Sequence, residues 1–270
     1  MRVVSGFLVL AAACAVAAPA GAAQGVLVTQ TSTVNGTPRT TQVQIEQTRI
    51  RSEVAGATGT ANVVIFDGTK QVLYMLDPEK KTYSEMTKAD VDAAGAQLGD
   101  AMAQMQKALE GMPPAQRAQM EALMKGRGMP AMPGTAARTE YRRAGSSKVG
   151  KWTCEVYEGF QGAQKTDEVC TVSPSTLGFT AADFEVSRQL AAFMRGILPQ
   201  GADQLFQAGR VEEQGFNGVP IRRVMTIAGR QVTTELTDVT RQTFPDSAFA
   251  IPDGFTKQAS PLSGRGRGRQ

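Results

Sequence analysis

The chain has 270 residues, of which 41% are apolar and 20% charged, enough for one sizeable β-rich domain or two small ones. The formal net charge is +4, but Arg2, Arg265, Arg267 and Arg269 lie near the two termini, so the body of the chain is close to neutral. A neutral body lacks the electrostatic footprint of a nucleic-acid-binding protein. The chain has no histidine, which excludes Ser-His-Asp and Cys-His catalysis and removes the commonest metal ligand.

Residues 1–22 have the pattern of a secretory signal peptide. Arg2 precedes an apolar run, and Ala20-Gly-Ala22 is a small-x-small cleavage site. We therefore expect an exported chain that begins near Ala23. The alternative is lipoprotein processing at Cys14, although an alanine stands where a lipobox usually has a bulky residue. No segment of the mature chain has the length and apolarity of a transmembrane helix.

The mature chain begins with residues typical of antiparallel strands. Asn35-Gly36 lies between two β-favouring runs and predicts a hairpin in which Val28 faces Val43. Further turn signals, Asp67-Gly and Asp77-Pro, follow along the chain. Strands separated by tight turns indicate an antiparallel meander.

The turn signal at Asp67-Gly68 also predicts a strand register. Folding the chain about this dipeptide places Val63 opposite Val72. The returning strand then brings Tyr83 near Tyr74.

Helical spacing interrupts the strands twice. The first helix begins at a capping box, Thr87 to Asp90, inside a methionine-rich insertion at about 87–134, and the second begins at Thr180 to Asp183. Both helices carry an apolar stripe, and these stripes are the candidate ligand-binding faces. Their residues are Leu98, Met102 and Met105 in the first helix, and Leu190, Phe193 and Met194 in the second.

The remaining cysteines flank a turn at Gly162. Folding there places Cys154 opposite Cys170 and creates one apolar face, so we predict a structural disulfide. Two reduced, buried thiols are the alternative. The other face of the hairpin is predicted to be polar. Its residues are Thr153, Glu155, Tyr157, Asp167 and Thr171.

Catalytic motifs are absent from the sequence. There is no Ser-x-x-Lys signature, no dinucleotide-binding glycine motif and no P-loop, so we expect a non-enzymatic protein without metal or cofactor. A hydrolase with an unsignalled pair of carboxylates remains the enzymatic alternative. The clustered methionines are typical of the core of a helix hairpin. The alternatives are a lid over an apolar ligand, a partner surface and, as the weakest alternative, a Cu(I) site.

Several sequence motifs follow one another along the chain. They begin with Val64-Ile-Phe-Asp-Gly and the run from Val72 to Tyr83, and continue with Gly150-Lys-Trp-Thr-Cys-Glu-Val-Tyr157. The final motif runs from Pro245 to Phe255. In this order the motifs resemble DUF4412, a domain of unknown function in bacterial envelope proteins. The arrangement is more distantly similar to the lipoprotein carriers LolA and LolB.

This resemblance implies an α+β fold, a curved antiparallel β-sheet (a LolA-like half-barrel) with amphipathic helices packed on the concave face. It also implies a periplasmic location and a lipid or other apolar ligand held between sheet and helices. An envelope protein partner docked on the methionine-rich helices is the alternative. We expect one domain at 23–257 and a disordered Gly/Arg tail at 258–270.

Overall fold

The computed structural model describes residues 23–55, 61–111, 113, 116, 139–195, 197, 215–227, 230–260 and 262. The predicted signal peptide, the insertion from 117 onward and the tail from 263 onward lie outside the described residues.

Twelve strands form a single sheet in the order β12-β6-β5-β4-β3-β2-β1-β11-β10-β9-β8-β7. Adjacent strands are antiparallel except for β12, which runs parallel to β6. The α+β class with an antiparallel sheet is therefore confirmed. The strands are β1 (Ala23–Val34), β2 (Thr37–Ile45), β3 (Arg49–Ala55), β4 (Ala61–Asp67), β5 (Val72–Asp77), β6 (Thr82–Thr87), β7 (Glu140–Val149), β8 (Trp152–Gln161), β9 (Gln164–Val172), β10 (Val219–Ile227), β11 (Arg230–Phe244) and β12 (Thr256–Gln258).

The first hairpin has the predicted register. Val28 lies opposite Val43, and the turn residues Asn35 and Gly36 have φ angles of 52° and 78°, as a type I′ turn requires. An Asn-Gly turn thus determines the pairing along the whole of this hairpin, because each strand continues from it without a bulge.

The predicted pairing of β4 with β5 is wrong by four residues. Val63 lies opposite Leu76, not Val72, because β4 continues through Asp67 and the turn occupies 68–71, where a turn at 67–68 was expected. The Asp67 carboxylate accepts hydrogen bonds from the backbone N–H groups of Thr69 and Lys70, at 3.0 and 2.9 Å. This side-chain turn enlarges the loop. An even shift keeps every side chain on its predicted face.

Two helices follow the predicted capping boxes. In α1 (Lys88–Glu110), the Asp90 carboxylate accepts from the Thr87 N–H at 2.9 Å. In α2 (Glu185–Met194), a short 3-10 turn comes first, and the Asp183 carboxylate accepts from the Thr180 N–H at 2.6 Å. Each cap satisfies backbone donors that the first helical turn leaves unpaired, so local sequence is sufficient to start both helices.

Apolar clusters cover both faces of the sheet. On the face covered by α2, one cluster surrounds the disulfide hairpin and a second surrounds α2 itself. On the other face, the segment after β11 packs Phe249 against Phe244, and Phe216 packs against Tyr157. We call the second cluster the α2 cluster. Its buried members are Phe66, Leu73, Met86, Val91, Val186, Leu190 and Phe193.

Candidate functional site

The apolar stripe of α1 leaves the core after its first turn. Val91 is fully buried in the α2 cluster, whereas Met102 is half-buried and Leu98 and Met105 are 43% and 37% exposed. The helix has 23 residues, which is about 35 Å of length. Large apolar side chains on one stripe of a surface helix normally face a core. Among the described residues, most of this predicted ligand-binding stripe lacks the apolar cover that such a stripe normally has.

The apolar stripe of α2 packs against the sheet. Leu190 is buried, Phe193 is fully buried, and the Phe193 ring lies 5.3 Å from the ring of Phe66 on β4. Met194 is half-buried at the margin of the same cluster. In this structure the predicted ligand-binding residues of α2 are thus in contact with the sheet, and Met194 is the member with an accessible surface.

A row of half-buried apolar side chains borders the α2 cluster. Ile45, Ile50, Val64 and Met75 pack against it from β2 to β5. A cleft of about 340 Å³ lies where β4 and β6 begin and β5 ends, and both Val64 and Met75 line it. Sequence reasoning did not find this cleft. Its only signal was the alternation of apolar and polar residues along these strands. The other members of its wall include Asn62, Tyr83, Ser84 and Gln258.

The predicted disulfide is present. Cys154 and Cys170 are bonded, with their Cα atoms 5.5 Å apart, and both side chains are buried. The predicted register is wrong by two residues, since Val156 lies opposite Cys170 and a β-bulge separates Gly159 from Phe160. The turn at 162–163 shifts the pairing by one residue and the bulge shifts it by one more, and the even total preserves the apolar face.

The other face of this hairpin is only partly exposed to solvent, because Thr153 and Glu155 are exposed and its other predicted members are covered. Tyr157 and Thr171 are buried, and Phe216 packs against Tyr157 with ring centroids 6.0 Å apart. Asp167 is also buried, with 6% of its surface exposed. The segment around Phe216 covers this part of the face. That segment lies outside the hairpin, so the hairpin's own sequence does not reveal the cover.

A buried polar network lies on that covered face. The Nε of Arg223 donates to the two carboxylate oxygens of Asp167 at 3.0 and 3.2 Å, and the Tyr141 hydroxyl also donates to Asp167. Burial, and then the hydrogen bond to Asp167, raises the pKa of Tyr141 above its ordinary value. Every member has a charged or hydrogen-bonding partner, so the arrangement suits a structural tie better than a reactive group. Sequence reasoning missed it because its members come from three strands.

The segment after β11 is attached to the sheet by Arg49. The Arg49 Nε donates to Glu46 and the Arg49 Nη2 donates to Asp246, each at 2.8 Å. The Arg49 guanidinium lies 4.6 Å from the centre of the Phe249 ring. Burial raises the pKa of Glu46, although the Arg49 hydrogen bond opposes the shift. The contacts of Arg49 therefore hold Phe249 against the apolar cluster on the face opposite α2.

The described residues offer no site for metal chemistry, since no group of three or more His, Cys, Asp or Glu side chains converges on a point suited to an ion. None of the helices in the described part of the chain combines the length and apolarity needed to cross a membrane.

Residues 138–255 match the model of a family described as "Domain of unknown function (DUF4412)". The predicted resemblance to DUF4412 is confirmed over that segment. The matched segment contains the disulfide hairpin, the buried polar network and α2. A search of the curated proteins found no match.

Among solved structures, an uncharacterized conserved protein from Thermus thermophilus is 7% identical, with 88% of this chain and 90% of that chain covered and a TM-score of 0.42. The MucA/MucB complex of Pseudomonas aeruginosa includes a chain that is 12% identical, with 84% and 56% covered and a TM-score of 0.35. PNGF-II is 10% identical, with 89% and 32% covered and a TM-score of 0.33. At these scores the similarities carry no argument about fold or function.

Proposed function

Starting from the match of residues 138–255 to DUF4412, we propose that the protein is a non-enzymatic periplasmic binding protein. Its ligand is an acyl chain, held between α1 and the sheet face that α2 covers. The sheet curves as in a LolA-like half-barrel, and both helices lie on its concave side. The observation that carries the proposal is the exposed apolar stripe of α1, which continues directly from a buried core cluster.

The stripe extends the α2 cluster into solvent. Val91 lies inside the cluster, and Leu98 and Met105 follow it at intervals of seven residues on the same side of the helix. Covering one large apolar side chain contributes about 1.5–3 kcal/mol relative to full exposure. An acyl chain along the stripe would shield Leu98, Met102 and Met105 together and would remain in contact with the core.

The adjoining cleft has a size that suits such a ligand. Its volume of about 340 Å³ falls at the lower end of the usual range for small-molecule pockets, about 300–1,000 Å³. Val64 and Met75 connect the cleft to the α2 cluster, and polar or charged residues such as Lys80, Ser84 and Gln258 also line it. The cleft therefore combines an apolar wall with a few hydrogen-bonding groups that could meet a headgroup.

The methionines of this region support a ligand of variable shape. Met75, Met86 and Met194 belong to the α2 cluster or its margin, and Met102 and Met105 lie on the α1 stripe. Methionine is unbranched and polarisable, so it adapts to irregular apolar partners. This composition fits acyl chains of different lengths better than one rigid ligand.

Native mass spectrometry of the full chain purified from the periplasm, with extraction and identification of bound lipid, tests the proposal. We expect a copurified acyl lipid that is lost in Leu98→Glu. The matched control is Ala103→Glu, which adds the same charge to an exposed position on the far side of α1. A lipid-free chain that also fails to bind a fluorescent fatty acid, or equal loss in both variants, would overturn it.

A helix of a partner protein is the alternative occupant of the same stripe. The seven-residue spacing of Val91, Leu98 and Met105 would also suit helix–helix packing. A photo-crosslinking residue at Met102 separates the two in cells. Lipid adducts support the proposal, whereas a protein adduct without retained lipid replaces it with an envelope interaction module. An adduct within the chain itself would show that its own residues cover the stripe.

A further inference from the structure

Strand β7 is the long free edge of the sheet. It has ten residues, it ends the strand order, and among the described residues it pairs only with β8. The opposite edge strand, β12, has three residues. In an antiparallel edge strand, alternate residues direct their backbone N–H and C=O groups away from the sheet, where another strand can pair with them.

The side chains of β7 leave its outer backbone accessible in one stretch. Gly145, Ser146 and Ser147 are small and exposed, and a β-bulge between Arg143 and Gly145 interrupts the strand just before them. The bulge limits regular pairing to the stretch 145–149, about 17 Å of extended chain. An added strand of five or six residues fits this length.

The charge along β7 is mainly positive. Arg142 and Arg143 are 68% and 63% exposed, and Lys148 is also exposed. Arg142 pairs with Glu140 and Arg143 with Glu155, whereas Lys148 makes no ion pair with any residue that the structure describes. Glu140, at the far end of the strand, is the only acidic residue of β7.

We propose that β7 binds an extended acidic segment of another protein by β-strand addition along 145–149. Backbone hydrogen bonds along 145–149 would supply the pairing, and Lys148 would pair with a carboxylate on the added strand. Arg142 and Arg143, just beyond the bulge, would attract acidic residues at its end. The site lies at the edge of the sheet opposite β12, apart from the α1 stripe, and does not depend on the proposed acyl-chain function.

A second copy of this chain is a poor occupant of the edge. Antiparallel self-pairing along 145–149 would place Lys148 of one copy opposite Ser146 of the other, so it would leave this exposed cation without a carboxylate partner. An acidic strand would supply that partner, because opposite charges on facing positions of two strands stabilise the pair.

The test uses the full chain and two fluorescein-labelled hexapeptides, one alternating valine with glutamate and the other valine with lysine. We expect fluorescence polarisation to detect binding of the acidic peptide only, with affinity that decreases as salt increases. Lys148→Glu should weaken binding by about three- to fivefold, the size of one exposed ion pair. Arg39→Glu, an exposed position on β2, is the control and should leave the affinity unchanged.

Amide hydrogen exchange locates the contact. Binding of the acidic peptide should slow exchange of the outward-facing amides of 145–149. Equal binding of both peptides, or protection confined to another surface, would overturn the proposal. Slow exchange of these amides in the free chain would overturn it too, because the chain's own residues or a second copy would then occupy the edge.

Discussion

Asp167 and Arg223 form an ion pair that is buried between the sheet and the segment containing Phe216. The Nε of Arg223 lies 3.0 Å from one carboxylate oxygen of Asp167, and only 7% of the Asp167 side chain and 15% of the Arg223 side chain are exposed. The pair joins β9 to β10, and the Tyr141 hydroxyl connects it to β7. One buried polar network therefore connects three strands of the DUF4412-matching segment.

Removing the carboxylate should destabilise the fold strongly. In Asp167→Ala the Arg223 guanidinium stays buried without its anion, and we expect the free energy of unfolding to decrease by about 3 kcal/mol. Asp238→Ala, which breaks the exposed pair with Lys151, should cost less than about 1 kcal/mol. Urea unfolding of both variants measures the difference. Equal losses would show that the buried pair is no more important than a surface one.

The disulfide should be structural. Replacing both cysteines, Cys154→Ala with Cys170→Ala, should lower the free energy of unfolding by about 3 kcal/mol, because the bond closes a loop of 16 residues' separation in the unfolded chain. Acyl-lipid retention should persist in the folded variant, since the cysteines lie in a different cluster from α1. Alkylation of the untreated wild type supplies the control. Two reactive thiols there would contradict the structure.

Two glycines should respond oppositely to the same substitution. Gly99 lies in α1, and an added Cβ would meet no atom within 4 Å. Because alanine has a higher helix propensity than glycine, Gly99→Ala should raise stability by about 0.5–1 kcal/mol. Gly36 has a φ of 78° in the first hairpin turn, so Gly36→Ala should lower stability by about 1 kcal/mol or more. Thermal unfolding followed by circular dichroism compares them. Shifts of the same sign would contradict the assigned backbone conformations.

Burial of Glu46 should make stability depend on pH in one direction. Its pKa is raised above 4.5 by burial, although Arg49 opposes and Asp246 adds to the shift. The folded state therefore binds a proton more tightly than the unfolded state. The free energy of unfolding should decrease as pH rises from 4.5 through the raised pKa, and the loss persists above it.

The Glu46→Gln variant isolates this effect. Groups with lowered pKa values, such as Asp183 beside Arg241, contribute stability that is lost as pH falls, and both proteins share them. Subtracting the variant's unfolding free energies from those of the wild type, between about pH 4 and about pH 8, should leave the decreasing contribution of Glu46. A flat or increasing difference would show that its pKa is not raised.

Local features were predictable where one short stretch contains all the partners. Thr87 with Asp90, and Thr180 with Asp183, begin their helices as expected, because a capping box closes within four residues. Asn35-Gly36 determines its hairpin for the same reason. The turn after Asp67 was mispredicted, because the carboxylate rearranges the loop in a way that residue preferences alone do not reveal.

The candidate sites depended on longer-range contacts. Sequence periodicity identified the apolar stripes of α1 and α2 but could not tell that Phe193 meets the sheet while Leu98 stays exposed. Part of the polar face predicted for the disulfide hairpin is buried, because Phe216 packs against Tyr157 there. The free edge at β7 emerged only from the order of the strands.

The sequence by itself predicted an exported chain, and it determined the disulfide, the strand-rich meander and the two helix starts. Each of these depends on composition or on contacts between near neighbours. Only the tertiary structure decided which apolar faces are covered, which edge is open and which charges are buried. Those properties depend on contacts between segments that are distant in the sequence. Asp167 and Arg223, for example, are 56 positions apart in the chain and form one buried contact.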